Sequence, residues 1–214
     1  MTNLDLTVGC RFCSRPELDR IILETESLFA MLSLGPIVEG YTIIATKDHI
    51  DCCASLPLNL LPEFTRLLEA VRSAQVAIYG AHVLYEHGRA GASHPSPDGH
   101  AHCYHAHLHC VPVNVALYDL ICWHYPQHEF GSWHDLLGWY SQHRTPYLLT
   151  GRDDSLVLFE ATDLVPRQYL RRLVAAAVGE PQRADWIRYQ GREMIAAAKA
   201  RLIPEVKSQF SQLG

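Results

Sequence analysis

The sequence predicts an α+β core with a mixed extension packed against it. Three observations carry this. Short runs of β-formers, such as Gly40–Thr46 (GYTIIAT), alternate with turn signals. One long segment from Pro62 to Gly80 repeats apolar residues at helical spacing. Beyond Asn114 the character changes: Trp123, Trp133 and Trp139 mix with His124, His128, His134 and His143, and two helical segments close the chain.

The elements follow in order. Arg20–Thr25 and Ser27–Ser33 are too short for helices and read as a hairpin, and Gly35-Pro36 is a turn. Gly40–Thr46 reads as a strand, with His49 just beyond it. Pro62 opens the clearest helix, whose stripe of Phe64, Leu67, Leu68, Val71, Ala74 and Ile78 is core packing; Gly80 closes it. His82–Glu86 reads as a strand, Arg89–His102 as a loop rich in Gly, Ser, Pro and His, and Tyr104–Val113 as a further strand. Helical or irregular packing is expected after Asn114. Tyr147–Ala161 then reads as a hairpin around Arg152-Asp153-Asp154, followed by helices over Pro166–Val178 and about Trp186–Leu202. The division expected is a core over 1–115 and an extension over 116–214.

The 214 residues, with 48% apolar and 19% charged, have an ordinary globular composition that needs no disulfide scaffold. A net charge of −5 argues against a nucleic-acid partner, which calls for a basic footprint. No apolar run approaches the length of a membrane span, and the first residues lack a signal-peptide pattern, so no membrane partner and a cytoplasmic location are expected. There the seven cysteines stay reduced, and their clustering with thirteen histidines suggests metal or catalysis before disulfides. Charge is divided unevenly: residues 1–163 balance at −10 and residues 164–214 at +5. A solvated arginine-rich helical face accounts for the basic end; an extension meeting an anionic ligand is the functional alternative.

The most informative segment is Tyr104-His105-Ala106-His107-Leu108-His109-Cys110-Val111. Strand alternation puts His105, His107 and His109 on one face, with successive members about 6.6 Å apart. Three imidazoles make a poor core face, because each brings a polar ring that needs partners. Such a row suits phosphoryl chemistry, in which a neutral imidazole attacks phosphorus while its other nitrogen is held as a donor. Cys10-x-x-Cys13 fits a structural zinc site lacking two further ligands, and no thioredoxin-like βαβ pattern supports a redox pair.

The ordered pattern from Cys10 to Asn114 resembles the histidine triad (HIT) superfamily: Cys-x-x-Cys, two short strands, a Gly-Pro turn, a strand ending in His49, a helix, then Tyr85-Glu86-His87-Gly88 and the triad. The resemblance implies a HIT-like antiparallel five-stranded sheet with helices, commonly paired into a homodimer. It implies that His107 attacks the α-phosphate of a nucleotide conjugate to form a nucleotidyl-histidine, with His109 at the reacting phosphate or leaving group. It also implies, as in the related galactose-1-phosphate uridylyltransferases, that His49 and His105 complete a zinc site with Cys10 and Cys13. Substrate contacts map onto Ser33 (sixteen residues before His49), Glu86, Gly88 and His102. Ser33 and Glu86 depart from the family pattern, in which Ser33's position is acidic or amide and Glu86's an asparagine. The usual arginine after the triad is missing, and the cluster Arg167/Gln168/Arg171/Arg172 is a candidate substitute. The activity implied is hydrolysis or transfer, and histidine at position 109, where the uridylyltransferases have glutamine, favours hydrolysis over uridylyl transfer; a phosphorylase or pathway-specific nucleotidyltransferase is the enzymatic alternative, and a zinc-stabilised nucleotide-binding module the non-enzymatic one.

Overall fold

The computed structural model describes residues 10–14, 17–89, 104–121, 123–152, 154–161, 165–166 and 168–214. The expected hairpin forms as β1 (Ile21–Glu24) and β2 (Leu28–Leu32), and β2 pairs antiparallel with β3 (Thr42–Thr46). A short helix α1 (Arg11–Ser14) precedes them. Helix α2 (Leu61–Tyr79) has Pro62 in its first turn and ends at Gly80, whose φ of 79° supplies the left-handed cap. Then come β4 (Val83–Gly88) and β5 (His107–Val111).

Residues 116–214 contribute α3 (Leu117–Ile121), β6 (Gln127–Phe130), α4 (Trp133–His143), β7 (Tyr147–Arg152), β8 (Ser155–Glu160), α5 (Tyr169–Ala177) and α6 (Arg192–Gln212). All strands join one antiparallel sheet in the order β1-β2-β3-β5-β4-β7-β8-β6. The five strands expected of the core form as β1-β2-β3-β5-β4, and the Tyr147–Ala161 hairpin continues the same sheet from β4, so that it has eight strands among the described residues. Strand β6 was not anticipated: it is a four-residue edge strand whose polar residues alternate too briefly to stand out. The last helix begins later than expected, after Gly191 (φ 60°), and runs through Pro204. Burial of Leu202 and Val206 on either side holds that turn in place despite the missing N–H. Among the described residues no helix is long and apolar enough to cross a membrane.

Both faces of the sheet are covered, which is why β2 and β3 are buried at every position. On one face α2, α4 and α6 pack over Leu28, Ala30, Ile44, Leu108 and Cys110. On the other, α3 and α5 pack over Phe29, Tyr41, Ile43, Tyr85, Leu148 and Phe159. In register, Ala45 lies opposite His107, and Ile43 and Tyr85 lie opposite His109, so both histidines project from the face that α3 and α5 cover.

Gly88 sits against the extension. A Cβ there would lie 2.0 Å from the ring of Tyr147, its cross-strand partner. Gly88→Ala is expected to lower stability by about 1–3 kcal/mol through overpacking. Gly138→Ala, in the exposed middle of α4 with open space around it, is expected to raise stability by about 0.5–1 kcal/mol. Urea midpoints of the two variants check this pair.

Candidate metal cluster and histidine row

Cys10, Cys13, His49 and His105 converge, with one ligand atom from each lying within 4.8 Å of the others. Cys10 Sγ is 3.5 Å from His105 Nδ1, Cys13 Sγ is 3.3 Å from His49 Nδ1, and Cys13 Sγ is 3.6 Å from His105 Nδ1. A tetrahedral zinc bonded to sulfur and nitrogen separates such atoms by about 3.5 Å, so the four residues fit a structural zinc. The surroundings fit as well. His105 Nε2–H donates to the Thr46 carbonyl at 2.8 Å, with Thr46 Oγ1 at 3.0 Å, which leaves Nδ1 free to face the thiols. Burial holds His105 down to about 4, in its neutral, ligating form.

His107 follows two residues later, at the start of β5. Its Nδ1–H donates to the His105 carbonyl at 2.5 Å, which leaves the Nε2 lone pair free. Phe12, between the two cluster cysteines, stacks on the His107 ring at 4.7 Å and 28°. Burial also lowers the proton affinity of His107, so the ring is held neutral.

His109 meets the edge of His107 at 5.0 Å and stacks on Tyr85 at 4.6 Å. Its Nδ1 lies 2.8 Å from the Tyr41 hydroxyl, which also bonds the Tyr85 hydroxyl. Burial, then repulsion from any proton on His107, from the Arg171 guanidinium and from any proton on His87, pushes the His109 imidazole well below its ordinary range. Arg171 is 5% exposed and is no part of a solvated face. Its guanidinium sits 5.4 Å from the Tyr41 ring and donates to the carbonyls of Gly35, Arg183 and Ala184. His87, one pair beyond Tyr85 on the same face of β4, accepts the Leu170 N–H from the first turn of α5 at 3.0 Å.

The structure gathers Cys10, Cys13, His49, His105, His107 and His109, while the side chains of Ser33 and Glu86 make their hydrogen bonds elsewhere. Ser33 is 3% exposed and donates to the Leu34 carbonyl. The adjoining turn is covered by the extension: Gly35 N–H donates to Gln190 O, and a Cβ on Gly35 would meet Trp186 at 2.6 Å. Glu86 points to the opposite face of β4, where its carboxylate accepts the Cys53 N–H at 2.7 Å and the Tyr147 hydroxyl at 2.6 Å. Gly88 makes room for Tyr147. His102 and Arg167 lie outside the described residues. Sequence reasoning missed Phe12, Thr46, Tyr41 and Tyr85. The last two had a signal, since each is a large polar ring in a strand-forming stretch with the parity of the histidine face.

No family model and no curated protein matches this chain. Among solved structures it is similar to a zinc-bound histidine triad family protein from Mycobacterium smegmatis, at 20% identity and a TM-score of 0.36, covering 51% of this chain and 78% of that one. It is also similar to a uridylyltransferase, at 13% identity and a TM-score of 0.44, covering 90% and 91%. A third is yeast Ap4A phosphorylase in complex with Ap4A, at 9% identity and a TM-score of 0.43, covering 88% and 81%.

Metal analysis of protein never exposed to chelator is expected to find about one zinc per chain, and Cys13→Ser is expected to lose it. Glu86 supplies a pH prediction. Burial raises its carboxyl from 4.5 to about 7, so its contribution is fully present below pH 4.5 and is lost as pH rises through 7. The stability of wild type relative to Glu86→Gln should therefore decline across that window, read from urea midpoints at each pH.

Proposed function

We propose that this chain is an enzyme of the histidine triad type, acting at the α-phosphate of a nucleotide conjugate. The observation that carries the reading is the His107 ring: Nδ1–H is tied to the His105 carbonyl, and Nε2 makes no bond among the described residues. That is the tautomer an imidazole needs to attack phosphorus.

In this reading the Nε2–phosphorus bond forms as the bond from phosphorus to the leaving group breaks. The leaving group departs with the electron pair and takes a proton from solvent. The His105 carbonyl stays on the Nδ1–H and favours the positive ring that results. An acceptor oxygen then attacks phosphorus, any proton it carries passes to solvent, the phosphorus–nitrogen bond breaks with its electron pair returning to Nε2, and neutral His107 is restored. His109 contacts the reacting phosphate, and Cys10, Cys13, His49 and His105 hold a structural zinc that positions His107 from behind without touching substrate. Residues 1–115 carry the reacting groups, and residues 116–214 wall the site.

Single-turnover reaction with an adenylyl or guanylyl phosphoramidate is expected to trap nucleotidyl-protein in the wild type and none in His107→Ala, with turnover lower by roughly 10⁴–10⁶-fold. Equal nucleotide binding by both proteins without adduct would instead mark a binding module. Phosphorus NMR of the products, with and without inorganic phosphate, separates hydrolysis from phosphorolysis.

A further inference from the structure

We infer that Tyr41 is a positioning residue that fixes His109 in the tautomer opposite to that of His107, as a neutral Nε2–H donor beside a neutral Nε2 acceptor. The inference rests on the proposed reaction only for its use; the tautomer itself follows from hydrogen-bond accounting.

Three groups form one buried chain. The Tyr85 hydroxyl bonds the Tyr41 hydroxyl, and the Tyr41 hydroxyl bonds His109 Nδ1 at 2.8 Å. Both tyrosines are fully buried, and burial raises both phenols, so each keeps its proton. His109 carries one proton, because burial and the neighbouring charges oppose a second. Three protons must then be placed along two hydrogen bonds.

One arrangement uses every buried donor. Tyr85 O–H donates to Tyr41 O, Tyr41 O–H donates to His109 Nδ1, and the His109 proton sits on Nε2. If His109 donated from Nδ1 instead, the proton of either Tyr41 or Tyr85 would be left without an acceptor among the described residues in a dry interior, which is costly. The Arg171 guanidinium lies 5.4 Å from the Tyr41 ring and opposes a second proton on His109. Among the described residues His109 Nε2 has no partner, so the N–H is available to an oxygen of the reacting phosphate.

The two rings are thus set by opposite devices on one strand face. A backbone carbonyl takes the Nδ1 proton of His107, and a phenol gives a proton to Nδ1 of His109. A neutral donor suits a crowded site, because it binds a phosphoryl oxygen without placing a second cation beside the ring that becomes positive.

Two-bond nitrogen–proton correlation spectra of protein labelled in its histidines read the tautomers directly, without reference to turnover. The wild type is expected to carry the His109 proton on Nε2 and the His107 proton on Nδ1. Tyr41→Phe should remove the His109 preference and leave that of His107 unchanged, with kcat for nucleotidyl transfer falling about 10–100-fold and KM little altered. Tyr85→Phe should keep the His109 tautomer, since Tyr41 still has only Nδ1 to donate to. The double variant Tyr41→Phe/Tyr85→Phe leaves no orphaned hydroxyl, so it serves if Tyr41→Phe fails to fold, and it should lose the tautomer too. A wild-type His109 proton on Nδ1, or an unchanged preference in both variants that lack Tyr41, overturns the inference. The expected tautomers without any nucleotidyl adduct would sink the proposed reaction and leave the inference standing.

Discussion

The side chain of His105 faces the thiols of Cys10 and Cys13 while its carbonyl accepts the Nδ1–H of His107, so one residue ties the metal cluster to the proposed nucleophile. Its own orientation is set from a third direction, by the Thr46 carbonyl at Nε2. Thr46 ends β3, and β3 pairs with β5, so the tie is anchored in the sheet itself. Closing the Cys-x-x-Cys turn on His105 also delivers Phe12 to the face of His107. A disturbance at the cluster therefore reaches the row by two routes, a hydrogen bond and a stacked ring.

Register does the rest of the positioning. With Ile43 and Tyr85 opposite His109, a slip of one residue would turn both histidines into the layer beneath α2 and replace them with Leu108 and Cys110. Leu108 and Cys110 are completely buried in that layer, so such a slip would place two imidazoles in an apolar core and expose apolar groups to the site. The apolar packing on one side of β5 therefore enforces the polar row on the other.

Much of this was legible in the sequence because it is local. Alternation across Tyr104–Val111, the helix between Pro62 and Gly80, and the hairpin at Arg152–Asp154 are all written in spacing and turn chemistry. The convergence of Cys10, Cys13, His49 and His105 is not local, and it came from the resemblance to a family pattern. What stayed hidden depends on partners far apart in the chain. Nothing near Glu86 signals that its carboxylate faces Cys53 and Tyr147, since that depends on which face of β4 lies inward. Nothing near Ser33 shows that Trp186 and Gln190 close its turn. The eight-stranded sheet escaped for the same reason: sequence shows a hairpin at Tyr147–Ala161 but not the strand against which it docks.

That docking has a consequence for how the molecule can be divided. Strand β4 lies between β5 and β7, so the peptide groups along its outer side are satisfied by a segment that arrives some sixty residues later. The same segment brings the Tyr147 hydroxyl, which holds both the Glu86 carboxylate and the Ala54 amide of the stretch following His49. A polypeptide ended after Asn114 would bare the outer edge of β4 and leave the Glu86 carboxyl and the Ala54 amide without the Tyr147 hydroxyl, inviting self-association. The later half of the molecule is thus a structural requirement of the earlier half as well as a cover for it.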